Sequence, residues 1–378
     1  MIVGLPKETR SDEARVGMTP DTVKKLCKKG YKVWVERSCG VRAQFLDEAY
    51  QMEGVELTDA RTAFSAEIVV KIHRPTEAEI ALMKKGSLLI SMIEPFNEDG
   101  IPEKLAQAGI DVIGMELIPR TSRAQSMDVL SSQANIAGYR AVLEAATQYG
   151  RFFPLMMTSA GSAKPAKLLV LGAGVAGLQA IATAKRLGAT VEAYDVRAEV
   201  KEQIQSLGAK FVELDVGEEG SGQGGYAKEL SDSAKQRQQD QLSAKIKSCD
   251  IVISTANIPG RKAPVLITED AVKGMRAGSV IIDMAAGTGG NCPLSEAGRV
   301  VVKHGVKIVG YMDFPSRVAT DSSGFYGNNL VSLLGLLVEA KDGKLSLNLN
   351  LKDDIIAASL VTHQGDIRLK RGKPCRQP

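Results

Sequence analysis

A glycine-rich turn between an apolar strand and an apolar helix constrains this chain more than any other feature. Gly172, Gly174 and Gly177 follow the strand pattern KLLVL and open a helical pattern over Leu178–Leu187. In a GxGxxG turn, the first glycine permits the tight turn and the second lets a pyrophosphate approach the backbone. The third lets the helix pack on the strand. The sequence therefore predicts a dinucleotide-binding site here, with an ordinary glycine-rich turn as the alternative.

The end of the next strand indicates which dinucleotide is bound. Asp195 lies 23 residues after Gly172, close to the spacing of about 20 expected for the acid that contacts the ribose. A carboxylate there bonds the 2′-hydroxyl and repels a 2′-phosphate, which favours NAD(H) over NADP(H). Arg197 argues the other way, because an arginine at this place could pair with a 2′-phosphate. We predict NAD(H).

Strand and helix patterns alternate along two stretches of the chain, from Ile2 to Leu117 and from Lys167 to Tyr311. Such alternation predicts parallel sheets covered on both faces. The expected fold class is α/β, with two doubly wound parallel-sheet domains and a cleft between them. We place a flavodoxin-like domain at residues 1–125, completed by the C-terminal segment 327–378. A Rossmann dinucleotide-binding domain is expected at residues 126–326.

Composition and charge exclude several kinds of protein. Aromatic residues make up only 4% of the chain, which argues against a nucleic-acid binder built on stacking aromatics. The three histidines and five cysteines are scattered without metal-ligand spacing. We therefore predict no metal site and reduced, cytosolic thiols. No uncharged run is long enough for a transmembrane helix. The net charge of +4 belongs to the basic C-terminal tail, which we expect to be solvated or to contact a phosphate, a lipid headgroup or an acidic partner.

Two loops of the second domain and one polar segment are candidates for ligand contacts. Ligands of doubly wound folds bind outside the carboxyl ends of the strands, so the loops that contain Asn257 and follow Asp283 are expected to line the site. The uncoiled segment Arg120–Ser131 precedes a long helical pattern and suits the binding of a carboxamide and ribose hydroxyls. The alternative is that Ser126 or Asp128 only caps that helix.

A polar stretch at residues 216–241 interrupts the regular pattern of the second domain. It is rich in glycine and glutamine and contains Gly225 and Tyr226. Such a composition cannot bury a core, so we expect a surface loop. This loop is either a plain insertion or a lid that closes over a ligand.

Four stretches of the sequence recur together in one family. They are PKETRSDEARVGMTP at Pro6–Pro20, RTSRAQSMDVLSSQANIAGYRAV at Arg120–Val142, LGAGVAGLQAIATAKRLGA at Leu171–Ala189 and GSVIIDMAAGTGGNCPLSE at Gly278–Glu296. The chain resembles the NAD(H)-binding component, domain I, of proton-translocating NAD(P) transhydrogenases from its first residue to about Val361. It resembles alanine dehydrogenases more distantly. RAQSMD followed by SSQ is specific to the transhydrogenase branch.

The resemblance implies roles for individual residues. Arg120, Gln125, Asp128 and Ser131 would orient the nicotinamide and its ribose for hydride transfer, with Gln125 also facing the partner. Tyr226 would close over the bound nucleotide. The cofactor contacts expected from the resemblance, the glycine turn and the loops are Arg123, Ser126, Gly172, Gly174, Val175, Gly177, Asp195, Val196, Arg197, Gly225, Tyr226 and Asn257.

Comparison with the alanine dehydrogenase pattern favours direct transfer between two cofactors. His73 stands in place of the lysine that holds pyruvate in those enzymes, Ile93 in place of a catalytic histidine, and Gly287 in place of an aspartate. Arg15, which would contact a substrate carboxylate, is kept. Transfer between two nicotinamides needs no acid or base. An enzyme of the alanine dehydrogenase type is the first alternative, and an NAD-sensing module without turnover is the second.

The resemblance also implies partners for this chain. An NADP(H)-binding domain and a membrane-spanning subunit would complete a proton pump. The chain would then be a homodimer, held at the cytoplasmic face of the membrane through these partners. No nucleic acid is expected among them.

Overall fold

The computed structural model describes residues 1–97, 99–215, 232–257, 262–341 and 343–369. The chain forms two compact units, of which unit 1 contains Met1–Gln133 and Pro315–Gln377 and unit 2 contains Ala134–Phe314. The boundaries that we expect from the sequence, after residues 125 and 326, both lie inside unit 1. They do so because the polar turn near residue 125 and the helix around residue 326 bury side chains in the core of unit 1.

The strands and helices of the described residues alternate as the sequence predicts. The strands are β1 (Ile2–Leu5), β2 (Lys32–Glu36), β3 (Glu56–Thr58), β4 (Ile68–His73), β5 (Leu88–Met92), β6 (Asp111–Gly114), β7 (Met156–Thr158), β8 (Gly161–Ala163), β9 (Lys167–Leu171), β10 (Thr190–Tyr194), β11 (Lys210–Phe211), β12 (Ile251–Ser254), β13 (Val280–Asp283), β14 (Val300–Lys303), β15 (Val306–Val309), β16 (Val338–Lys341), β17 (Lys344–Leu347), β18 (Leu360–His363) and β19 (Asp366–Ile367). The helices are α1 (Pro20–Lys28), α2 (Asp47–Gln51), α3 (Ala60–Phe64), α4 (Glu77–Ile80), α5 (Ile101–Gln107), α6 (Val129–Gln148), α7 (Val175–Arg186), α8 (Lys201–Ser206), α9 (Asp232–Lys247), α10 (Glu269–Lys273), α11 (Ala319–Leu337) and α12 (Asp354–Ser359).

Unit 1 is built on an eight-stranded sheet with the order β3-β2-β1-β4-β5-β6-β18-β19. The first six of these strands are parallel, and β18 and β19 add antiparallel strands at one edge. Without the short edge strand β3, the parallel strands follow the 2-1-3-4-5 order of flavodoxin-like folds, and β3 extends this to 3-2-1-4-5-6. Side chains alternate between the two faces, so Ile68 and Val70 enter one core and Val69 enters the other.

Unit 2 has a seven-stranded sheet with the order β11-β10-β9-β12-β13-β15-β14. Its six parallel strands run in the 3-2-1-4-5-6 order of the Rossmann fold. The seventh strand, β14, pairs antiparallel with β15 at the edge. Leu168 and Val170 pack on one face of the sheet and Leu169 and Leu171 on the other. Both units are therefore α/β, as the alternation of patterns indicates.

The small residues of helix α6 allow close packing inside unit 2. A Cβ added at Gly138 would lie 2.1 Å from the carbonyl oxygen of Ala176 on α7. The two helix backbones therefore touch at this point, which a larger residue would prevent. Because α7 follows the glycine turn, this contact helps to fix the turn against the rest of unit 2.

Candidate dinucleotide-binding site

The glycine turn lies at the carboxyl end of β9, the first strand of the unit 2 sheet. β10 and β12 flank β9, so the chain connections diverge on either side of this point. Ligands of open α/β sheets bind at such a switch point, outside the carboxyl ends of the strands. The fold thus places the predicted motif where a dinucleotide is expected.

Each of the three glycines meets a different steric requirement. Gly172 has φ +96°, a left-handed conformation that other residues rarely adopt. Gly174 is the N-cap of α7 in an extended conformation, and no atom lies within 4 Å of an added Cβ. At Gly177 that Cβ would lie 1.8 Å from the carbonyl oxygen of Gly172. The turn is therefore tight, open on the side of Gly174, and in backbone contact with the helix.

Helix α7 begins at Val175 with no side chain bonded to its first backbone N–H groups. Free N–H groups at a helix N-terminus attract anions such as a pyrophosphate. Thr255, which has no motif of its own in the sequence, supports the turn from the end of the neighbouring strand β12. Its hydroxyl donates to the carbonyl oxygens of Gly172 at 3.0 Å and Leu171 at 3.3 Å.

Asp195 follows β10 directly and lies beside the glycine turn. One carboxylate oxygen accepts from the N–H of Ala173 at 2.7 Å. The other accepts from the N–H of Arg197 at 2.8 Å, and the Arg197 guanidinium donates to both oxygens at 3.0 Å. Burial opposes ionisation, but these hydrogen bonds outweigh it and lower the pKa of the Asp195 carboxyl. Asp195 is therefore an ionised acceptor held against the turn, and Val196 beside it is exposed.

The loop after β12 carries Asn257, whose side chain is oriented by the loop after β13. The hydroxyl of Thr288 donates to Oδ1 of Asn257 at 3.0 Å. The same hydroxyl lies 3.0 Å from the carbonyl oxygen of Ala285, so Thr288 links the two loops. The next residues, 258–261, lie outside the described residues of the chain.

A buried polar pair, which the sequence did not reveal, fixes the two loops. Asp283 is fully buried and accepts from the N–H groups of Ala285, Asn291 and Cys292 at 3.0–3.1 Å, and from the hydroxyl of Ser295 at 2.5 Å. The side chain of Asn291 donates to the carbonyl oxygens of residues 256 and 264 at 2.8 Å and accepts from Ser254. The signal that could have indicated this pair is an aspartate at the end of the apolar strand VIID and an asparagine directly after GTGG.

In unit 1, the segment with the predicted nicotinamide-binding residues forms a short 3₁₀ turn over Ser122–Met127. Ala124 and Met127 are buried in the core of unit 1, and they anchor the turn. The residues between and before them face outward. The exposed members of the predicted set are Arg120, Arg123, Gln125 and Ser126.

Asp128 ends this turn and caps helix α6. Its carboxylate accepts from the backbone N–H of Ser131 at 2.9 Å and from the hydroxyl of Ser131 at 2.6 Å. Nε of Arg120 lies 4.0 Å from the same carboxylate. The structure therefore brings Arg120, Asp128 and Ser131 together, and it also shows the capping interaction that the sequence left open for Asp128.

Arg123 is engaged by acidic residues from the C-terminal region of unit 1. Its guanidinium donates to both carboxylate oxygens of Asp353, at 2.7 and 2.9 Å, and to Asp354. The ion pair raises the pKa of Arg123 and lowers that of Asp353. Asp353 also caps α12 through the N–H groups of Ile355 and Ile356. Arg123 therefore forms an ion pair within unit 1, and its contact with the cofactor stays a prediction.

The remaining predicted contacts, Gly225 and Tyr226, lie outside the described residues. The same is true of most of the basic tail, from residue 370 onward. Among the residues that the structure describes, no helix is both long enough and apolar enough to span a membrane.

A buried charged cluster surrounds the arginine that the alanine dehydrogenase pattern would assign to a substrate. Arg15 donates through Nε and one terminal nitrogen to Glu13, at 2.8 and 2.6 Å, and through the other to Gln133 at 2.7 Å. His73 Nε2 lies 2.6 Å from Glu13, and its Nδ1 lies 3.3 Å from a guanidinium nitrogen of Arg10. Since arginine can only donate, Nδ1 accepts and Nε2 carries the proton. Burial alone would raise the pKa of Glu13, but these bonds hold it well below its usual range.

The two mainly parallel sheets, the glycine turn and the acid after β10 define a Rossmann-like α/β protein. The family models for the N-terminal and C-terminal domains of alanine dehydrogenase/PNT match residues 4–137 and 141–370. The NAD(P) transhydrogenase subunit alpha of Haemophilus influenzae is 46% identical over 367 residues, which cover 97% of this chain and 71% of that protein. In Rhodospirillum rubrum, the chain named as the first part of this subunit is 48% identical over 376 residues, covering 97% of each chain. The chain belongs to the NAD(P) transhydrogenase alpha-subunit family, whose members are oxidoreductases.

Solved structures agree with this assignment. A transhydrogenase from Sinorhizobium meliloti superposes with a TM-score of 0.85 at 40% identity, covering 97% of this chain and 98% of that one. An L-alanine dehydrogenase superposes with a TM-score of 0.80 at 26% identity, covering 97% and 96%. The resemblance inferred from the motifs is therefore confirmed, with alanine dehydrogenase as the more distant relative. Families of this kind bind a nicotinamide dinucleotide.

Proposed function

We propose that this chain is the NAD(H)-binding subunit of a proton-translocating transhydrogenase. It would pass a hydride from NADH to NADP⁺ held on a partner domain. The observation that carries the proposal is the open glycine turn next to the ionised Asp195, which suits a pyrophosphate and an unphosphorylated ribose. Membership of the transhydrogenase alpha-subunit family supports it.

The chemistry requires little of the protein beyond positioning. The hydride carries both electrons, so NADH is oxidised to NAD⁺ as NADP⁺ is reduced to NADPH, and no acid or base takes part. What the chain must supply is a fixed ring geometry and the exclusion of water. In this proposal Gly172, Gly174 and Gly177 cradle the pyrophosphate, and Asp195 holds the adenosine ribose. The nicotinamide end is oriented by Gln125, Asp128 and Ser131, with Arg120 beside them.

The described residues support an alanine dehydrogenase less well than they support a transhydrogenase subunit. The guanidinium of Arg15 bonds Glu13 and Gln133 through all three of its nitrogens, so three of its five N–H donors and its charge are already paired within the protein. His73 donates to Glu13 from Nε2, which commits it to the same buried cluster. Ile93 and Gly287 offer no titratable group. An amino-acid dehydrogenase needs a proton donor and acceptor beside the carbonyl.

The partners belong to the same proposal. The relatives are named as a subunit alpha and as the first piece of such a subunit, which describes them as components of a larger enzyme. By analogy, an NADP(H)-binding domain and a membrane-spanning subunit would complete this protein. A homodimer at the cytoplasmic face of the membrane would then couple hydride transfer to proton movement.

Reconstitution tests the proposal. The chain alone should not oxidise NADH with pyruvate and ammonia, and it should produce NADPH from NADH and NADP⁺ only when the NADP(H)-binding partner is added. Gln125→Ala should slow this transfer about tenfold or more, because misplacing a reacting group by ~1 Å costs up to about a hundredfold. NADH affinity should stay within about threefold.

Gln51→Ala serves as the matched control, since Gln51 is also exposed and lies at the end of α2. It should leave both the transfer rate and NADH affinity unchanged. Amination of pyruvate by the chain alone, or no transfer with the partner present, would contradict the proposed function.

A further inference from the structure

The turn that carries Gln125 is a 3₁₀ helix, whose backbone hydrogen bonds have poorer geometry than those of an α-helix. The N–H of Ala124 bonds the carbonyl of Thr121 at 3.0 Å, and the N–H of Asp128 reaches the carbonyl of Gln125 at 3.4 Å. A 3₁₀ turn of this length is held less firmly than an α-helix. The position of the exposed Gln125 side chain therefore depends on the contacts that other elements of unit 1 make with the turn.

One buried amide from helix α11 bonds the turn from the inside. Asn329 is only 7% exposed. Its Nδ2 donates to the carbonyl oxygen of Ser126 at 2.8 Å, and its Oδ1 accepts from the hydroxyl of Ser132 at 2.8 Å. Ser126 follows Gln125 directly, and Ser132 follows Ser131. A single side chain thus joins the two stretches that carry the predicted hydride-transfer residues.

The orientation of this amide is fixed by the chemistry of its partners. The carbonyl of Ser126 can only accept a hydrogen bond, so the nitrogen of Asn329 must face it. The hydroxyl of Ser132 then donates to the oxygen. A side chain of the same shape without the N–H group would place two oxygens against each other.

We propose that Asn329 is a positioning residue for hydride transfer, which fixes the turn bearing Gln125 relative to the start of helix α6. This inference rests on the proposed function. Asn329 acts through the turn and does not itself touch the cofactor. Its loss should therefore change the geometry of the nicotinamide more than the strength of NADH binding, because the contacts proposed for the pyrophosphate and the adenosine ribose do not involve this turn.

The test is Asn329→Asp, which keeps the shape and the acceptor for Ser132 but removes the donor to Ser126. The hydride-transfer rate with the NADP(H)-binding partner should fall at least about tenfold, while the NADH dissociation constant of the chain alone stays within about threefold. Asn328→Asp is the matched control. Asn328 is the exposed neighbour on the same helix, and its Oδ1 accepts from Lys25, which an aspartate can also do. Both parameters should stay at their wild-type values.

Ser132→Ala keeps the inference testable if Asn329→Asp does not fold. It removes the hydroxyl that holds the Asn329 oxygen at 2.8 Å, together with that hydroxyl's longer contacts to the carbonyl of Val129 and the amide of Gln133, and it should slow transfer severalfold without weakening NADH binding. Transfer at the wild-type rate in the folded variant would overturn the inference, as would equal losses in rate and NADH affinity. A wild-type chain that transfers no hydride to the partner would instead refute the proposed function. Failure of the inference is therefore seen in the variants, and failure of the proposed function is seen in the wild type.

Discussion

Alanine substitutions at two glycines of the same turn should separate the folding of unit 2 from its ligand binding. At Gly177 an added Cβ would lie 1.8 Å from the carbonyl oxygen of Gly172. Both sides of this contact are backbone, so helix α7 and the turn must move apart. Such overpacking costs up to about 3 kcal/mol, and the better helix propensity of alanine offsets about 1 kcal/mol. Gly177→Ala should therefore destabilise unit 2 by about 2 kcal/mol, or roughly 4–8 °C in melting temperature.

At Gly174 the same substitution should spare the fold. No atom lies within 4 Å of the added Cβ, and the φ of −76° suits any residue. Because alanine is a poorer N-cap than glycine, we expect a loss of no more than about 1 kcal/mol. The new methyl group would occupy the side of the turn that is open to a pyrophosphate. NADH affinity should fall at least about tenfold, which corresponds to ~1.4 kcal/mol.

Thermal unfolding and calorimetric titration with NADH, run on the wild type and both variants, check the two expectations. A Gly174→Ala protein that binds NADH as tightly as the wild type would show that no pyrophosphate approaches this turn. A Gly177→Ala protein with an unchanged melting temperature would show that the contact between helix and turn is not tight. Either result would refute the reasoning from the turn geometry.

Two other substitutions probe one carboxylate in each unit. Asp195→Ala should weaken NADH binding about tenfold without improving NADPH binding, and a gain for NADPH in the same titration would mean that Arg197 serves a 2′-phosphate. Glu13→Gln should destabilise unit 1 by about 3 kcal/mol in urea, because it leaves the buried guanidinium of Arg15 unpaired. The folded-state pKa of Glu13 is lowered from an ordinary 4.5, so its stabilisation is complete above that pH and is lost as the pH falls towards the folded-state pKa. Glu13→Gln should therefore lose less stability than the wild type on acidification from about pH 5 to pH 3, and an equal loss would contradict this account.

The dinucleotide turn was predictable from sequence because its requirements are local. A strand pattern, three glycines at fixed spacing and a helix pattern lie within about twenty residues of one another. In the structure, strand β9 has the predicted bounds, Lys167–Leu171, and helix α7 begins at Val175. The acid at the end of the following strand was also predictable, because the spacing along a βαβ unit is nearly constant.

The edges of the two sheets were harder to predict. β14, β18 and β19 are short antiparallel strands that complete the sheet edges. Their sequences carry no long periodic pattern, and their strand character depends on a neighbouring edge being available for pairing. The N-terminal segment of helix α11 carries no clear amphipathic pattern either, because its polar residues Ser322 and Ser323 are buried in unit 1.

The ion pairs of Arg123 show what a motif does not contain. Its place within RTSRAQSMD predicts a contact with the cofactor, which stays a prediction. The structure adds its pairing with Asp353 and Asp354, some 230 residues later in the chain. No pattern near Arg123 contains that information. The same holds for Asn329, which bonds a carbonyl 203 residues earlier.

By itself the sequence determined the α/β fold class, the glycine turn, the acid beside it and the family. These features follow from short-range steric rules and from motifs that are contiguous in the chain. Only the tertiary structure decided which side chains hold the turn that carries Gln125, how Asp283 and Asn291 fix the loops after β12 and β13, and that Arg15 is already paired with Glu13. Each of these depends on a hydrogen bond between elements that packing brings together, and the direction of such a bond is set by donor and acceptor geometry in three dimensions.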